Sequence, residues 1–331
     1  MLSFRDPQHP AARTMLLRAL LLALCLGFPA PALSLILDAG DGSGNTTSPE
    51  NDPGWHNVGQ HLGSPSVVYL GNGWVLTAAH AGASIVTFGE QRFDPIAGSP
   101  TQLTNSDGSQ ADLLLFRIDG DPNLPALTIA TSPARVGQAV VLVAAGSSRA
   151  KRMSLTTEGQ GIVDGFRWKP DQTKRWGTNI IEEEPGMVEM SGTETMAMPI
   201  FFDRIESVSG TRQEAVAAKG DSGGAVFARS NPRDPESPWT LSGLLFSVAT
   251  QADRPKETSF YGDVTWLADL SYYREQIIAL VFPGGVGTQT APPDSSQIET
   301  SDLPRNIVTL CLWILVGFAS WKVFISSRQS D

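Results

Sequence analysis

Short runs of apolar residues, separated by turn-forming residues, extend through the middle of the chain. Clusters of Gly, Asn, Asp, Ser or Pro stand between most of these runs, which is the pattern of short β-strands joined by turns. Many short strands in succession predict a β-sandwich or a β-barrel. The runs that carry this prediction are residues 66–70, 74–77, 84–88, 112–117, 139–144 and 241–248.

One segment at the end of this region has a different period. Apolar residues recur at helical spacing between residues 266 and 281, and they include Leu267, Leu270, Ile277 and Val281. A spacing of three and four residues places such side chains on one face of a helix. The pattern predicts a helix over residues 266–281 that ends an otherwise all-β domain.

An apolar run near the start of the chain has the parts of a secretory signal peptide. Arg13 and Arg18 lie before an apolar run over residues 19–28, and small residues follow at Ala30 and Ala32. A basic region, a short apolar region and small residues at the cleavage site are typical of export signals. We expect residues 1–34 to be a signal peptide, with Met15 as an alternative start.

A second apolar run, residues 306–325, is predicted to be a single transmembrane helix. Lys322 can extend its aliphatic stem to the interface, which makes about 20 residues available for the span. Residues 283–305 before it are rich in Gly, Pro, Ser and Thr and predict a flexible linker. The globular domain is then residues 35–282, and residues 326–331 form a short tail on the cytoplasmic side.

Charge and cysteine content narrow the class of protein. The formal net charge is −10 and no basic block stands out, which argues against nucleic acid as a partner. The two cysteines, Cys25 and Cys311, both lie in the terminal apolar runs. Disulfides and thiolate metal sites are therefore excluded from residues 35–282. We expect no metal and no other cofactor, and we expect a bacterial envelope protein, because small extracellular animal proteins usually carry disulfides.

Three segments carry the chemistry of the chain. They are Thr77-Ala-Ala-His80, Asp112-Leu-Leu-Leu-Phe116 and Gly220-Asp-Ser-Gly-Gly224. In this order they resemble the hallmarks of the trypsin-like (chymotrypsin-type) serine protease family, and the last segment is the most specific. The resemblance covers residues 66–248 in motif order. It implies two six-stranded β-barrels with a C-terminal helix.

The resemblance also implies the roles of individual residues. A serine hydroxyl needs a base to take its proton, and histidine suits this role because its pKa lies near neutral pH. In the family, a buried carboxylate orients that histidine and stabilises its charged form. The implied triad is His80, Asp112 and Ser222. The N–H groups of Gly220 and Ser222 are implied to form the oxyanion hole, and Asp221 pairs with a freed N-terminal ammonium in zymogen-type members.

The order of the motifs along the chain tests this assignment. The Gly220–Gly224 segment also fits the G-x-S-x-G nucleophile elbow of α/β-hydrolases, which requires a histidine after the serine. All four histidines precede Ser222, so that fold is excluded. A subtilisin order would need an acid before His80, and no supporting motif accompanies one. Asp107 is the nearest alternative to Asp112 as the acid.

The primary specificity pocket follows from the same resemblance. Val216 is implied at its base, and Phe246, Ser247 and Val248 are implied in its wall. No carboxylate stands among them to bind a basic side chain, and Val248 replaces a glycine, which narrows the pocket. We therefore expect cleavage after small or medium apolar P1 residues rather than after Arg or Lys.

The family's usual activation sequence, a basic residue followed by Ile-Val-Gly-Gly, is absent. Signal cleavage near Ala32 or Ser34 would leave an apolar N-terminus, and whether it reaches Asp221 is an open question at this point.

Two weaker motifs remain. Residues 38–45 have the composition of a calcium loop without the EF-hand pattern, and a polar loop is the simpler interpretation. Residues 166–179 interleave basic and aromatic side chains. They could bind a polyanion or a sugar, but an inter-strand loop anchored by tryptophans is the simpler interpretation.

The sequence thus predicts a secreted, membrane-tethered serine endopeptidase of the cell envelope, with its peptidase domain on the extracytoplasmic side. Its partners would be a protein or peptide substrate and the membrane. The alternative is a catalytically silent binding module on the same fold. A third hypothesis is a non-peptidase acyl hydrolase.

Overall fold

The computed structural model describes residues 35–62, 64–157, 161–170, 173–190, 192–249 and 254–284. Antiparallel β-strands make up most of the regular secondary structure of these residues, and one α-helix follows the last strand within them. The strands are β1 (Ile36–Leu37), β2 (Val58–His61), β3 (Ser66–Gly71), β4 (Trp74–Thr77), β5 (Val86–Phe88), β6 (Gln91–Phe93), β7 (Thr101–Thr104), β8 (Gln110–Arg117), β9 (Ala139–Ala144), β10 (Ser148–Thr157), β11 (Gly161–Lys169), β12 (Arg175–Ile180), β13 (Gly186–Met190), β14 (Thr193–Phe201), β15 (Ala215–Val216), β16 (Ala225–Arg229), β17 (Trp239–Ala249), β18 (Thr258–Phe260) and β19 (Val264–Asp269). The helix is α1 (Arg274–Val281), and short 3-10 turns are formed by Trp55–Asn57 and Ala79–Ala81.

The N-terminal half is a barrel-like antiparallel sheet of seven strands in the order β6-β5-β2-β3-β4-β8-β7. Both faces of its central strands are buried. Val68 and Leu70 of β3 belong to one apolar cluster, whereas Val67 and Tyr69 belong to another. Because successive side chains point to opposite faces of a strand, burial of both faces produces the continuous apolar runs seen in the sequence.

The C-terminal half is a second barrel-like sheet, with the order β12-β9-β16-β17-β19-β14-β13. The largest apolar cluster contains residues of both halves. Leu76 belongs to the first sheet, Phe227 and Leu244 to the second, and Ile277 to α1. The two halves and the helix therefore share one hydrophobic core, and the catalytic candidates lie on segments from both halves.

Two smaller sheets complete the fold. The strands β10, β11 and β18 form one, and β1 pairs with β15 in the other. Ile36 of β1 lies opposite Val216 of β15. The first described strand of the chain therefore lies beside the segment that leads to Ser222.

Two predictions about the fold need correction. Each large sheet has seven strands, whereas the family resemblance implied six. The seven include short, mostly polar strands such as β6 and β7, which no apolar run in the sequence marks. The helix predicted over residues 266–281 is wrong in its first half, where β19 pairs with both β14 and β17. In β19 the buried residues Thr265 and Leu267 flank the half-buried Trp266, which is the alternation of a strand. Leu270 and Tyr273 lie in the turn before α1, so their helical spacing does not reflect a helix.

The chain termini are a separate matter. The predicted signal peptide (residues 1–34), the linker from residue 285 and the predicted transmembrane helix (residues 306–325) lie outside the described residues and stay predictions. Within the described part of the chain, no helix combines the length and the apolar character needed to cross a bilayer.

Candidate active site

His80 lies on the 3-10 turn that follows β4. The small residues around it allow a tight turn, which Gly82 ends with a φ of 71°. The carboxylate of Asp112 holds this turn at two points. The backbone N–H of His80 donates to Asp112 Oδ1 at 2.9 Å, and Nδ1 of the ring lies 2.7 Å from Asp112 Oδ2. Main chain and ring are thus both fixed by one carboxylate.

Asp112 is delivered by β8, which is the neighbour of β4 in the first sheet. Its side chain is 11% exposed, whereas that of His80 is 52% exposed. The hydrogen bond that the His80 ring donates to Asp112 raises the pKa of His80, and burial opposes this effect only in part. A carboxylate that favours the imidazolium form stabilises the charge that a base acquires when it takes a proton.

The second half of the molecule also holds Asp112. Its backbone N–H donates to Thr195 Oγ1 of β14 at 2.9 Å. The alternative acid, Asp107, lies in an exposed turn where it accepts hydrogen bonds from the backbone and hydroxyl of Ser109. The structure therefore brings Asp112, and not Asp107, to His80.

Ser222 lies in the turn between β15 and β16, with its Oγ 3.0 Å from His80 Nε2. Its carbonyl accepts a hydrogen bond from Ser66 of β3 at 2.9 Å. The next residue, Gly223, has a φ of 82°, and a Cβ on it would collide with the carbonyl of Ser66. The turn can approach the first sheet this closely because position 223 is glycine.

The two candidate oxyanion donors are the N–H groups of Gly220 and Ser222. The carbonyl of Lys219 accepts a hydrogen bond at 2.8 Å from the N–H of Ser147, a residue that is not among those lining the cleft. In a trans peptide the N–H points opposite to the carbonyl, so this bond turns the N–H of Gly220 toward the cleft. Neither this N–H nor that of Ser222 donates to a carbonyl of the described residues.

Asp221, between these two donors, is fully buried. Its Oδ2 accepts a hydrogen bond from Ala218 N at 2.7 Å. Gly146 packs against it so closely that a Cβ there would lie 2.6 Å from Asp221 Oδ1. The carboxylate therefore stabilises the turn from inside, and Asp221 is not among the residues that line the cleft.

An open cleft of about 960 Å³ surrounds Ser222 and His80. Phe246, Ser247 and Val248 of β17 line it, as the sequence predicted for the pocket wall. Val216 is not among its lining residues. It is 1% exposed and packs with Ile36 of β1 instead, so that Ala217 and Ala218 form this part of the wall.

The weaker motifs acquire structural roles. Asp38 is buried and accepts hydrogen bonds from Ile205 N and the hydroxyl of Tyr261. Within the described ranges, no group of three or more His, Cys, Asp or Glu side chains is arranged to hold a metal ion.

The interpretation of residues 166–179 as a loop is wrong, because they contribute to β11 and β12. Both tryptophans in this segment are hydrogen-bonded, Trp168 to Ser259 and Trp176 to Thr47.

Two residues that support the site were missed by the sequence analysis. Thr195 and Ser147 act through one backbone hydrogen bond each, to Asp112 and to Lys219. A single threonine on a mixed strand, or a serine in a loop, carries no signal in the sequence that would single it out.

Several solved structures are similar to the chain. The active form of the Rv3671c protease of M. tuberculosis has 15% identity and a TM-score of 0.37, and the match covers 80% of this chain and 95% of that one. Neuropsin, a serine protease expressed in the limbic system of mouse brain, has 18% identity and a TM-score of 0.45, with coverage of 71% and 96%. Human heparin binding protein has 13% identity and a TM-score of 0.43, with coverage of 72% and 95%.

One protein-family model matches more than half of the chain. No curated protein matches the chain. The Trypsin family model, however, matches residues 48–270, which include His80, Asp112 and Ser222 and make up more than half of the 331 residues. Together with the two barrel-like β-domains, this match shows that the chain belongs to the trypsin family of serine proteases, with the chymotrypsin fold.

Proposed function

We propose that the protein is a serine endopeptidase that hydrolyses peptide bonds through an acyl-enzyme on Ser222. The observation that carries this proposal is the 3.0 Å approach of His80 Nε2 to Ser222 Oγ, while Asp112 holds the other ring nitrogen at 2.7 Å. A nucleophile, a base and an acid that orients the base, joined by hydrogen bonds, form the arrangement that acyl transfer needs.

Each group has one task in the proposed reaction. Ser222 Oγ attacks the carbonyl carbon of the substrate as His80 Nε2 takes its proton, and Asp112 stabilises the imidazolium. The N–H groups of Gly220 and Ser222 receive the negative charge on the carbonyl oxygen, and one such donor contributes about 2.7–4 kcal/mol. His80 then gives the proton to the leaving amine. Water, activated by His80 in the same way, hydrolyses the ester and restores Ser222.

The experiment that tests this function is cleavage of a denatured proteome by the full-length protein. Ser222→Ala is the matched control, because it removes the nucleophile and leaves the rest of the turn. We expect new N-termini with the wild type and none with the variant. Absence of new N-termini would contradict an endopeptidase. A Ser222 that still reacts with a fluorophosphonate would then favour the non-peptidase acyl hydrolase, and an unreactive Ser222 would favour the silent binding module.

The preference for an apolar P1 residue is part of the proposal. Ala217, Ala218 and Phe246 give the cleft an apolar wall beside Ser222, and these residues support small or medium P1 side chains. Peptides that differ only in P1 (Ala, Val, Leu, Phe or Arg) test the preference. Fastest turnover of the arginine peptide would contradict it.

We further propose that cleavage before Leu35 activates the enzyme. Leu35 is fully buried, bridges to Ser148 and precedes Ile36, which pairs with Val216. Ser148 lies two residues after Gly146, which packs against Asp221. These contacts place Leu35 in the same part of the fold as the buried carboxylate, and we propose that the ammonium freed at Leu35 reaches Asp221. N-terminal sequencing should find Leu35 first, and full activity of a form with one extra residue before it would contradict the proposal.

Export and tethering complete the proposed function. The apolar runs at residues 19–28 and 306–325, with the linker between the domain and the second run, support a peptidase domain on the extracytoplasmic side of the envelope. A protease added to spheroplasts, whose outer envelope has been removed, should then digest the domain, and deletion of residues 306–331 should release it from the membrane fraction. Protection in spheroplasts would contradict this location.

A further inference from the structure

One charged side chain of the cleft has no partner among the described residues. Lys219 lines the cleft between Ala218 and Gly220, and its side chain is exposed. The other ionisable groups in the described lining are His80 and Asp112, which are bonded to each other. Lys219 forms no ion pair with any described residue. Among the described lining residues, the cleft therefore presents one exposed cation, Lys219, and one carboxylate, that of Asp112, which is bonded to His80.

The backbone of Lys219 is fixed next to the reacting centre. Its carbonyl is held by Ser147, and the following peptide N–H, that of Gly220, is a candidate oxyanion donor. The side chain of Lys219 therefore starts one residue before a candidate oxyanion donor, and its ammonium group moves on a flexible four-carbon stem. It can reach the side chains of substrate residues close to the bond that is cut.

The overall charge of the chain works in the opposite direction. A net charge of −10 repels an acidic substrate at long range. At physiological ionic strength, however, charges are screened over about 8 Å, so that an acidic side chain already bound in the cleft interacts mainly with the nearest charge. Among the described residues of the cleft, the exposed charge is the ammonium of Lys219, whereas the side chain of Asp112 is only 11% exposed.

We infer that Lys219 is a specificity-determining residue that favours substrates with an acidic side chain within two residues of the scissile bond. The inference rests on the proposed peptidase function and names a substrate class for it. An exposed ion pair contributes modestly, so the expected preference for Glu over Gln is about fivefold, which corresponds to about 1 kcal/mol. The preference should shrink as salt is added.

The test uses full-length protein and matched peptides with the same apolar P1 residue. Each peptide carries Glu, Gln or Lys at one of the positions P2, P1′ and P2′. We expect the highest kcat/KM for Glu and the lowest for Lys at one or more of these positions. Lys219→Gln should abolish the ratio between Glu and Gln peptides, and Lys219→Glu should reverse it. Lys256→Gln removes an exposed cation outside the cleft and should leave the ratio unchanged.

The possible outcomes separate this inference from the proposed function. Equal rates for Glu, Gln and Lys peptides, with cleavage still dependent on Ser222, would overturn the role of Lys219 and leave the peptidase standing. A preference for Glu that persists in Lys219→Gln would do the same. Absence of any peptide cleavage would overturn both.

Discussion

At the scale of single residues, the hydrogen bonds between His80 and Asp112 determine how the activity depends on pH. The base must be neutral to accept the proton of Ser222, whereas the hydrogen bond of its ring to Asp112 raises the pKa of His80 and favours its charged form. The same hydrogen bond thus narrows the pH range in which His80 of the free enzyme is neutral, and it stabilises the imidazolium that forms during attack. This predicts that kcat/KM falls as the pH drops through a His80 pKa that lies above its ordinary value.

Replacement of this acid tests the point. Asp112→Asn should lower kcat by on the order of 10⁴-fold, because the ring loses its correct tautomer and its counter-charge. The residual activity should have its acid limb at lower pH, since the hydrogen bond that raises the His80 pKa is weakened. Asp107→Asn, in the exposed turn, is the matched control and should behave like the wild type. Equal losses in both variants would contradict the assignment of the acid.

A second histidine predicts how stability depends on pH. His61 is 2% exposed, Nδ1 of its ring lies 2.6 Å from Ser84 Oγ, and burial lowers its pKa from 6.5 to about 4. Between these values the unfolded chain binds more protons than the folded one, so this contribution to stability is present above pH 6.5 and is lost as the pH falls toward 4. Urea unfolding at pH 7 and pH 5 measures it.

The control for this prediction is the exposed His56. His61→Gln should lose less free energy of unfolding between pH 7 and pH 5 than the wild type, whereas His56→Gln should lose the same amount as the wild type. An identical pH dependence in all three proteins would show that the burial of His61 does not contribute to acid sensitivity.

At the scale of elements, the sequence predicted those strands whose two faces are buried and the turns that carry the triad. Strands β3, β4, β8 and β9 appear in the sequence as apolar runs because both of their faces are buried in apolar clusters. It did not predict β10 and β11, which alternate weakly and lie partly in solvent. It also misread β19, because its place between two partner strands is decided by residues far away in the chain.

A hydrogen-bond network between elements is a further feature that no local pattern contains. The buried hydroxyl of Tyr273, just before α1, accepts from Met196 N of β14 at 2.9 Å and donates to Asn105 Oδ1 at 2.7 Å. Asn105 in turn donates to the carbonyl of Glu194 at 3.0 Å. This network fixes β14 next to the loop between β7 and β8, one residue from the threonine that holds Asp112.

Loss of that hydroxyl should be costly. Tyr273→Phe leaves buried polar groups without a partner and should lower the free energy of unfolding by about 1–3 kcal/mol, as measured in urea. Tyr272→Phe is the control, because the hydroxyl of Tyr272 bonds to Ser106 at an exposed position, where water can replace it. A similar small loss in both variants would contradict the structural role of the network.

At the scale of the whole molecule, the shared core has a thermodynamic consequence. Leu115 of the first sheet and Phe227 of the second, with Ile277 of α1, belong to one buried cluster. We therefore predict that the two barrel-like halves unfold together. Calorimetry should give one transition whose van't Hoff enthalpy equals the calorimetric enthalpy. Two separate transitions would show that each half is stable without the other.

The central claim is that Ser222 is a nucleophile made reactive by His80. The most direct measurement is the mass of the intact protein, and of its peptides, after reaction with a fluorophosphonate. The account predicts one adduct per chain, located on Ser222, that is absent in Ser222→Ala and formed far more slowly in His80→Ala. Unmodified protein, or an adduct that forms equally fast without the imidazole of His80, would contradict it.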